Sequence, residues 1–572
     1  MSYTSLIVER DVEMMTRDGV VLRADIYRPN TPEPVPVLLE RTPYGKGLMP
    51  PYLLFALMAA ERGYAVVIQD TRGRWASEGD GAPFVHEMQD GYDAVEWAAH
   101  QPWANGQVGM FGVSYMGYTQ LAAAVMRPPS LKTIIPAETF CDAFGTALQG
   151  GAPTLGVTVS WGLIAQALHG IVRLPDTPEK GALFAAWVAA WDGMVRGDTF
   201  ERLPLKDMPL IGRGGVADYV GTVLAHPTHD AYWEALRCPH ESLDLPIFHI
   251  GGWYDIFIAN TLSDYAGIRA AGNAQQKLII GPWAHGNYES VVGEVDFGIQ
   301  SDGMAILPEE MHLRWFDYWL KGTPNGVMDE PPVRLFVMGD NQWRSEQEWP
   351  LARAQNTRYY LHSGGRANTL NGDGALSPEA PSDEAVDSFV YDPRNPVPTR
   401  GGALCCGEAA LPSGAYDQRA IEARPDVLVY STPPLERDLE VTGPLEVHLW
   451  AATTAPDTDF TAKLVDVGPC GYARNLTDGI VRARHHRSLD RAEFITPGEV
   501  YEYVIDLAAT CNVFKAGHRI RVEISSSNFP RFDRNANSGL PLGEDTALRP
   551  ALQTIWHDAA HPSHIILPVI PR

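Results

Sequence analysis

The sequence is poor in basic residues and has no long apolar run, and each shortage excludes a class of protein. Its 572 residues include 45 Lys and Arg against 70 Asp and Glu, a formal net charge of −25. Nucleic acids and anionic membranes are bound through basic patches, so we expect neither as a partner. No apolar run approaches about 20 residues, so no membrane span is predicted. The first residues also lack the basic and apolar regions of a signal peptide.

Cysteines are few and scattered. They show no C-x-x-C pair and no His/Cys spacing typical of zinc, which argues against a structural metal site. We therefore predict free thiols in a cytoplasmic protein. A glycine-rich phosphate loop and a dinucleotide fingerprint are also missing, so nothing indicates a nucleotide cofactor. The chain has six cysteines: Cys141, Cys238, Cys405, Cys406, Cys470 and Cys511.

The chain exceeds the size of one hydrophobic core and changes character three times along its length. Up to about residue 143, buried strands alternate with helices, which is typical of βαβ units and a mainly parallel sheet. Residues 144–240 lose the buried strands and show helical periodicity, which predicts an inserted helical region. The strand and helix pattern resumes over 241–350. From 351 to 572, short strands separated by turn residues predict an antiparallel sandwich.

A serine stands at a predicted strand-to-helix turn within residues 107–126, QVGMFGVSYMGYTQLAAAVM. Ser114 lies between Gly112 and Gly117, the arrangement of a nucleophile elbow. There the hydroxyl stands above the sheet and the helix N-terminus, which favours negative charge, lies beneath it. The second glycine is one residue late, because Met116 stands where G-x-S-x-G has glycine. The pattern predicts a nucleophile and leaves a plain turn serine as the alternative.

Two further residues follow apolar strands after the helical insertion. A catalytic serine needs a base, and the base needs an orienting carboxylate, in the chain order Ser, Asp or Glu, His. Asp255 follows IFHIGGWY and His285 follows KLIIGPWA, at strand ends where parallel sheets place their sites. We predict a triad of Ser114, Asp255 and His285. Two other residues could in principle serve as the base or the carboxylate of the triad. Of these, His249 is predicted to be a core or interface histidine, and Asp70 a structural residue that holds a loop.

The tetrahedral oxyanion of such a reaction needs two hydrogen-bond donors. One is expected to be the backbone N–H of Tyr115, the residue after the serine. The other normally comes from the loop after the third strand, here residues 41–45, RTPYG, which has no HGGG-type run. Tyr44 in this loop can donate its phenolic hydroxyl instead. The alternative is that Tyr44 is a packing tyrosine.

Several stretches carry a family resemblance: RTPYGKG, YAVVIQDTRGRWASEG, VGMFGVSYMGYTQ, GGWYDIF, GPWAHGN, VRLFVMGDNQWR, DTDFTAKLVDV and SSSNFPRFDRN. They resemble the cocaine esterase-type branch of the X-Pro dipeptidyl-peptidase superfamily of serine hydrolases, over nearly the whole chain. The resemblance implies an α/β fold with three units. These are an α/β-hydrolase catalytic domain (1–143 and 241–350), an inserted helical cap (144–240) and a C-terminal β jelly-roll sandwich (351–572).

The resemblance also assigns residues to the site. It puts the triad on Ser114, Asp255 and His285 and the oxyanion hole on Tyr44 and Tyr115. Because the family's elbow is G-x-S-Y-x-G, the late glycine is a family feature.

The same resemblance implies an acyl pocket. Aromatic side chains from the cap and the aspartate loop hold the acyl group in this branch, and the matching positions are Trp161 and Phe257. A Leu-Phe pair of the family is replaced here by the stretch 403–407, which contains Cys405 and Cys406. That departure leaves a benzoyl preference open.

The sequence thus predicts a cytoplasmic hydrolase of small-molecule acyl or aryl esters that works through an acyl-enzyme, without metal or organic cofactor. Homodimerisation is a further expectation. The nearest alternative is an amide- or peptide-directed member of the superfamily: an acylase, an α-amino-acid ester hydrolase or an X-Pro dipeptidyl peptidase. A more distant alternative is a non-catalytic protein whose jelly roll holds a carbohydrate.

Overall fold

The computed structural model describes residues 5–48, 50–306, 308–407 and 409–571. Its strands, in chain order, are β1 (Leu6–Met15), β2 (Val21–Pro29), β3 (Val35–Thr42), β4 (Ala65–Asp70), β5 (Ala104–Val113), β6 (Leu131–Ala137), β7 (Leu148–Gln149), β8 (Ala152–Pro153), β9 (Ile247–Tyr254), β10 (Gln276–Ala284), β11 (Val291–Val292), β12 (Val295–Asp296), β13 (Val333–Val337), β14 (Gln342–Glu346), β15 (Gln355–His362), β16 (Ala375–Ser377), β17 (Asp387–Tyr391), β18 (Leu428–Ser431), β19 (Leu439–Thr453), β20 (Asp459–Val467), β21 (Ala473–Arg482), β22 (Tyr501–Phe514), β23 (Arg519–Ser525), β24 (Ala551–Trp556) and β25 (His564–Ile570).

The α-helices are α1 (Pro50–Glu61), α2 (Glu87–Ala99), α3 (Tyr115–Val125), α4 (Phe144–Ala147), α5 (Leu155–Trp161), α6 (Leu168–Val172), α7 (Pro178–Arg196), α8 (Tyr219–Ala225), α9 (Ala231–Leu236), α10 (Ile258–Ala270), α11 (Gly303–Ile306), α12 (Pro308–Lys321) and α13 (Arg419–Glu422). A π-helical stretch, Gly162–Ala167, joins α5 to α6. Short 3₁₀ turns lie at Leu205–Asp207, His240–Ser242, Ile299–Ser301 and Ala483–His485.

Among the described residues, the first sheet has ten strands in the order β1-β2-β4-β3-β5-β6-β9-β10-β13-β14. The strands from β4 to β13 in this order run parallel, whereas β1, β2 and β14 pair antiparallel at the edges. β5, β6, β9 and β10 are consecutive neighbours, so their carboxyl ends meet at one edge. Ser114, Glu138, Asp255 and His285 each follow closely after one of these ends.

Both faces of this sheet are covered, which explains why its central strands are mostly apolar on both faces. All eight residues of β3 are buried. Because side chains alternate along a strand, Val37 and Leu39 pack on the face covered by α2 and α3. Leu38 packs on the other face, against α1 and α12.

The cap, helices α5 to α9, has its own apolar core. That core includes Leu155, Val159 and Leu163, and it continues into Leu404 and Leu411 from the C-terminal half of the chain. The stretch Leu155–Val172 is long and apolar enough, by length and composition, to cross a membrane, but 67% of it is buried inside the protein. Its apolar character therefore serves the interior of the cap.

The C-terminal β-sandwich contains eleven strands, β15 to β25, with β22 paired to the long strand β19. Its core is continuous with residues of the first sheet, because Trp253, Leu335 and Leu464 belong to one buried cluster. The predicted fold class is confirmed: an α/β-hydrolase core, an inserted helical cap and a C-terminal β-sandwich.

Candidate active site

Ser114 occupies the sharp turn between β5 and α3. Its backbone has φ 64° and ψ −122°, a left-handed conformation that costs a non-glycine residue about 1–3 kcal/mol and clusters at functional sites. The surrounding backbone holds the turn in place. The Ser114 N–H donates to Ala137 O at 2.9 Å, and the Ser114 carbonyl accepts from Thr139 Oγ1 at 2.8 Å.

The two glycines of the elbow are required by close packing. A Cβ on Gly112, which has φ 138°, would lie 2.5 Å from Met116 Cβ. A Cβ on Gly117 would lie 2.5 Å from Thr139 Cβ, because the first turn of α3 crosses the segment after β6. The glycine is therefore needed at position 117, and position 116 has room for a side chain.

Asp255 and His285 form a direct, buried pair. His285 Nδ1 lies 2.7 Å from Asp255 Oδ1, and the side chains are 9% and 0% exposed. Burial lowers the pKa of His285, but the charge and hydrogen bond of Asp255 and the charge of Glu138 outweigh it, so the pKa is raised. With Nδ1 engaged by the carboxylate, Nε2 is the ring nitrogen left for proton transfer.

Tyr44 presents its hydroxyl at the same site and receives a hydrogen bond there. Trp161 Nε1 donates to Tyr44 Oη at 2.9 Å. Burial raises the pKa of Tyr44 against the opposing hydrogen bonds of Trp161 and Ser114, so the phenol keeps its proton at neutral pH. A phenol that accepts from an indole is a stronger donor to a third group, because chained hydrogen bonds polarise one another.

Tyr115 contributes both backbone and side chain. Its backbone N–H is the first of α3 and has no acceptor within the helix. Its phenol donates to Glu87 Oε1 at 2.9 Å and accepts from the Phe84 N–H at 2.9 Å. These contacts hold the elbow to α2 and to the loop that precedes it.

A small aromatic cavity of about 50 Å³ contains Ser114. The predicted acyl-pocket residues Trp161 and Phe257 both line it, and the ring of Phe257 lies edge-on to His285 at 5.2 Å between centroids. Sequence reasoning missed several other lining residues, which come from scattered loops and helices without a local motif. They are Phe84, Phe140, Thr146, Ala147, Val157, Thr158, Tyr219 and Ile256.

Comparison with known proteins places this arrangement in a family. The family model of the X-Pro dipeptidyl-peptidase (S15 family) matches residues 18–287, and that of the X-Pro dipeptidyl-peptidase C-terminal non-catalytic domain matches residues 325–566. The chain is 40% identical to cocaine esterase of Rhodococcus sp. (strain MB1 Bresler), over 99% of both chains. It belongs to the cocaine esterase-type branch of the S15 family.

Solved structures agree with the S15 assignment. An aminopeptidase from the marine sediment archaeon Thaumarchaeota archaeon is similar with a TM-score of 0.82, and an α-amino acid ester hydrolase with 0.79. Each is 25% identical and covers 99% of this chain and 96% of its own. One of these proteins is named for cleaving peptide bonds and the other for cleaving ester bonds. Which bond this chain cleaves is therefore inferred from the residues of its own site.

Sequence reasoning missed Glu138, which has a buried carboxyl group beside the Asp255–His285 pair. Its Oε2 accepts from the Gly286 N–H at 2.6 Å and lies 3.8 Å from His285 Nδ1. Burial and the charge of Asp255 raise the pKa of Glu138 to about 8, against the charge of His285 and the hydrogen bonds from Gly286 and Tyr288. Burial therefore favours the neutral form of Glu138, whereas a protonated His285 favours its ionised form.

The prediction of free thiols is wrong for two of the six cysteines. Cys405 and Cys406 form a disulfide between adjacent residues, and both line the cavity of Ser114. The sequence does carry a signal for this bond, because Cys405 and Cys406 are its one pair of adjacent cysteines. A bond between sequence neighbours, however, needs an unusual backbone. Cys406 has φ 69°. The remaining four, Cys141, Cys238, Cys470 and Cys511, are free.

Two rival residues lie in structural roles, as the sequence predicts. His249 is buried within β9, where a ring nitrogen pairs with the side chain of Gln276 at 2.8 Å. Asp70 accepts from the backbone N–H groups of Lys46 at 2.7 Å and Ala76 at 3.3 Å. It thus fixes the loop that carries Tyr44.

Proposed function

We propose that this chain is a serine esterase that cleaves carboxylic esters of small molecules through an acyl-enzyme intermediate. The observation that carries the proposal is the buried Asp255–His285 pair at the ends of β9 and β10. The pair stands at the same edge of the sheet as the strained Ser114 at the end of β5, and the ring of Phe257, which lines the aromatic cavity of this serine, packs edge-on against His285.

In the first half of the proposed reaction, His285 Nε2 takes the proton of the Ser114 hydroxyl as the oxygen attacks the ester carbonyl. Asp255 holds the imidazole with Nε2 unprotonated and stabilises the imidazolium that forms. The charge of Asp255 stabilises that cation directly, because Nδ1 lies only 2.7 Å from Oδ1. His285 then protonates the leaving alcohol and later activates the water that releases the acid.

The proposed oxyanion hole consists of the Tyr44 hydroxyl and the Tyr115 N–H. Donors aimed at the developing charge and fixed before the reaction act without reorganisation. Tyr44 meets this condition, since Trp161 and the burial of the ring hold its neutral hydroxyl in place. Trp161 thereby has two proposed tasks, as a wall of the acyl pocket together with Phe257 and as the donor that polarises Tyr44.

The lining of the cavity favours an ester over a substrate with a free amino group. Recognition of an ammonium group calls for carboxylates near the acyl pocket. Among the described residues that line the cavity, none is Asp or Glu. The aminopeptidase and amino-acid ester hydrolase reactions named for the similar structures therefore fit this pocket less well.

The test is a panel of matched esters and amides. We expect turnover of p-nitrophenyl acetate and butyrate, little turnover of the corresponding p-nitroanilides, and none of glycyl-prolyl p-nitroanilide. Ser114→Ala serves as the blank. A kcat/KM for glycyl-prolyl p-nitroanilide above that for the esters would replace this proposal by the peptidase alternative.

Three further expectations remain proposals. We propose the domain division at residues 143/144, 240/241 and 350/351, which agrees with β13 and β14 joining the first sheet. We propose a cytoplasmic location. Four free thiols accord with a reducing compartment, whereas the Cys405–Cys406 disulfide does not. Homodimerisation stays a prediction.

A further inference from the structure

The Cys405–Cys406 disulfide lines the cavity that contains Ser114. The segment belongs to the C-terminal half of the chain and reaches across to the cap. On either side of the pair, Leu404 and Leu411 are buried in the cap core, 3% and 2% exposed. The hydroxyl of Ser160 in α5 donates a long hydrogen bond of 3.5 Å to the Cys405 carbonyl. The backbone that carries the bond is therefore anchored at both ends.

The cavity is small for the substrates that its aromatic walls suggest. Its volume of about 50 Å³ is a third of the roughly 150 Å³ of an engineered apolar cavity that binds benzene. A short acyl group fits such a space, whereas an aryl acyl group needs one wall to move. Much of the remaining wall consists of rings of the elbow, the cap and the Phe257 loop, which pack against one another.

The disulfide wall is the part of the cavity whose covalent state can change. In the oxidised form, the bond ties the two sulfurs together, so neither cysteine can change its χ1 rotamer alone. In the reduced form, each cysteine is a small apolar side chain with its own rotamers. Reduction therefore replaces a fixed wall by two side chains that can turn away from a larger acyl group.

We propose that the Cys405–Cys406 disulfide determines acyl specificity: the oxidised pair confines the enzyme to short acyl groups, and its reduction by a dithiol admits aryl acyl groups. This inference rests on the proposed esterase function. The redox step is a thiol–disulfide exchange. A dithiol thiolate attacks the sulfur of one cysteine and displaces the other cysteine as a thiolate, which leaves a mixed disulfide. The second thiol of the reagent then attacks the reagent sulfur of that mixed disulfide and displaces the first cysteine. The dithiol becomes a cyclic disulfide while the two cysteines each gain a hydrogen.

The remaining cysteines allow the effect to be traced to this pair. Cys141, Cys238 and Cys511 are buried, Cys470 is exposed, and none of the four lines the cavity of Ser114. They are already thiols, so a dithiol leaves their oxidation state unchanged. Any change in specificity on reduction must then come from Cys405 and Cys406.

The experiment measures kcat/KM for p-nitrophenyl benzoate and p-nitrophenyl acetate before and after dithiothreitol, with the dithiol removed before assay. Intact mass, which rises by two hydrogens, and alkylation of two additional thiols verify reduction. We expect the benzoate-to-acetate ratio to rise about tenfold or more, the size of a one-methylene change in an apolar pocket. The Cys405→Ser/Cys406→Ser variant should show the raised ratio throughout and no response to dithiothreitol.

Three results would overturn the proposal: an unchanged ratio after verified reduction, a dithiol effect that persists in the double variant, or six free thiols in protein purified under air. If reduction also loosens the cap, the double variant covers that case. The reduced wild type and the Cys405→Ser/Cys406→Ser variant both lack the bond, so the two should show the same benzoate-to-acetate ratio. Absence of ester turnover in both oxidation states is a different result, which would refute the esterase proposal itself.

Discussion

Asp255→Asn is expected to preserve the fold and lower kcat by about 10⁴-fold, the effect of the same replacement in other serine hydrolase triads. The amide fills the same space but carries no charge. It also allows the side-chain N–H₂ to face Nδ1, which favours the tautomer with the proton on Nε2. Because Asp255 raises the pKa of His285, the acid limb of the remaining activity should also shift to lower pH.

The sign of that shift follows from the need for neutral His285. Activity rises as pH rises through the pKa of His285, which lies above its usual value of about 6.5 in the wild type. Removing the carboxylate takes away the main raising influence. A kcat/KM profile of both proteins from about pH 5 to 9 measures the two midpoints. A midpoint in Asp255→Asn at or above that of the wild type would contradict the account.

Glu138→Gln is the matched control for this prediction. It also removes a buried carboxyl group beside His285, but Glu138 Oε2 is 3.8 Å from Nδ1, and burial and the charge of Asp255 raise the pKa of this group to about 8. We expect less than a tenfold change in kcat at pH 7. Above about pH 8, where wild-type Glu138 ionises, the pH profiles of variant and wild type should separate. An equal loss of kcat in Asp255→Asn and Glu138→Gln at pH 7 would contradict the assignment of Asp255 as the carboxylate partner of His285.

Tyr44→Phe is expected to lower kcat by about 10²–10³-fold with little change in KM, the cost of one oxyanion donor. The ring still fills its place, but the hydroxyl that we propose as an oxyanion donor is lost. Trp161 Nε1 also loses its acceptor, so a modest loss of stability accompanies the change. Steady-state kinetics on a short-chain nitrophenyl ester and a thermal unfolding scan separate the two effects.

Tyr219→Phe is the control for Tyr44. Tyr219 lines the same cavity and packs edge-on against Trp161 at 4.9 Å between centroids, yet no oxyanion role is proposed for it. Its loss of a hydroxyl should change kcat by less than about threefold. Wild-type turnover in Tyr44→Phe would leave the oxyanion to backbone donors alone.

Much of the fold could be predicted because its signals are local. The alternation of buried strands and helices predicted up to residue 143 is an example: β6, LKTIIPA, spans Leu131–Ala137, and a short apolar run of this kind indicates a buried strand by itself. The positions of Ser114, Asp255 and His285 followed from a simple rule: each comes just after a strand of one parallel sheet, and parallel strands end at one edge.

The parts that sequence reasoning missed depend on tertiary contact. Glu138 lies directly after β6, but its closeness to His285 follows from β6 pairing with β9 and β9 with β10. No local pattern reports such a pairing. The Trp161–Tyr44 hydrogen bond joins residues 117 positions apart, and the resemblance placed Trp161 in the acyl pocket only. The disulfide was missed because the prediction of free thiols rested on the scatter of the cysteines and on a cytoplasmic location, and neither reports a bond between sequence neighbours.

The central claim is that Ser114 is the nucleophile, and covalent capture tests it most directly. The protein would be treated with a fluorophosphonate, and its intact mass and the modified peptide determined. The account predicts one adduct per chain, on Ser114, with loss of ester turnover in proportion to labelling, and no adduct in Ser114→Ala. Full labelling of Ser114→Ala, or an unlabelled wild type that still hydrolyses esters, would contradict it.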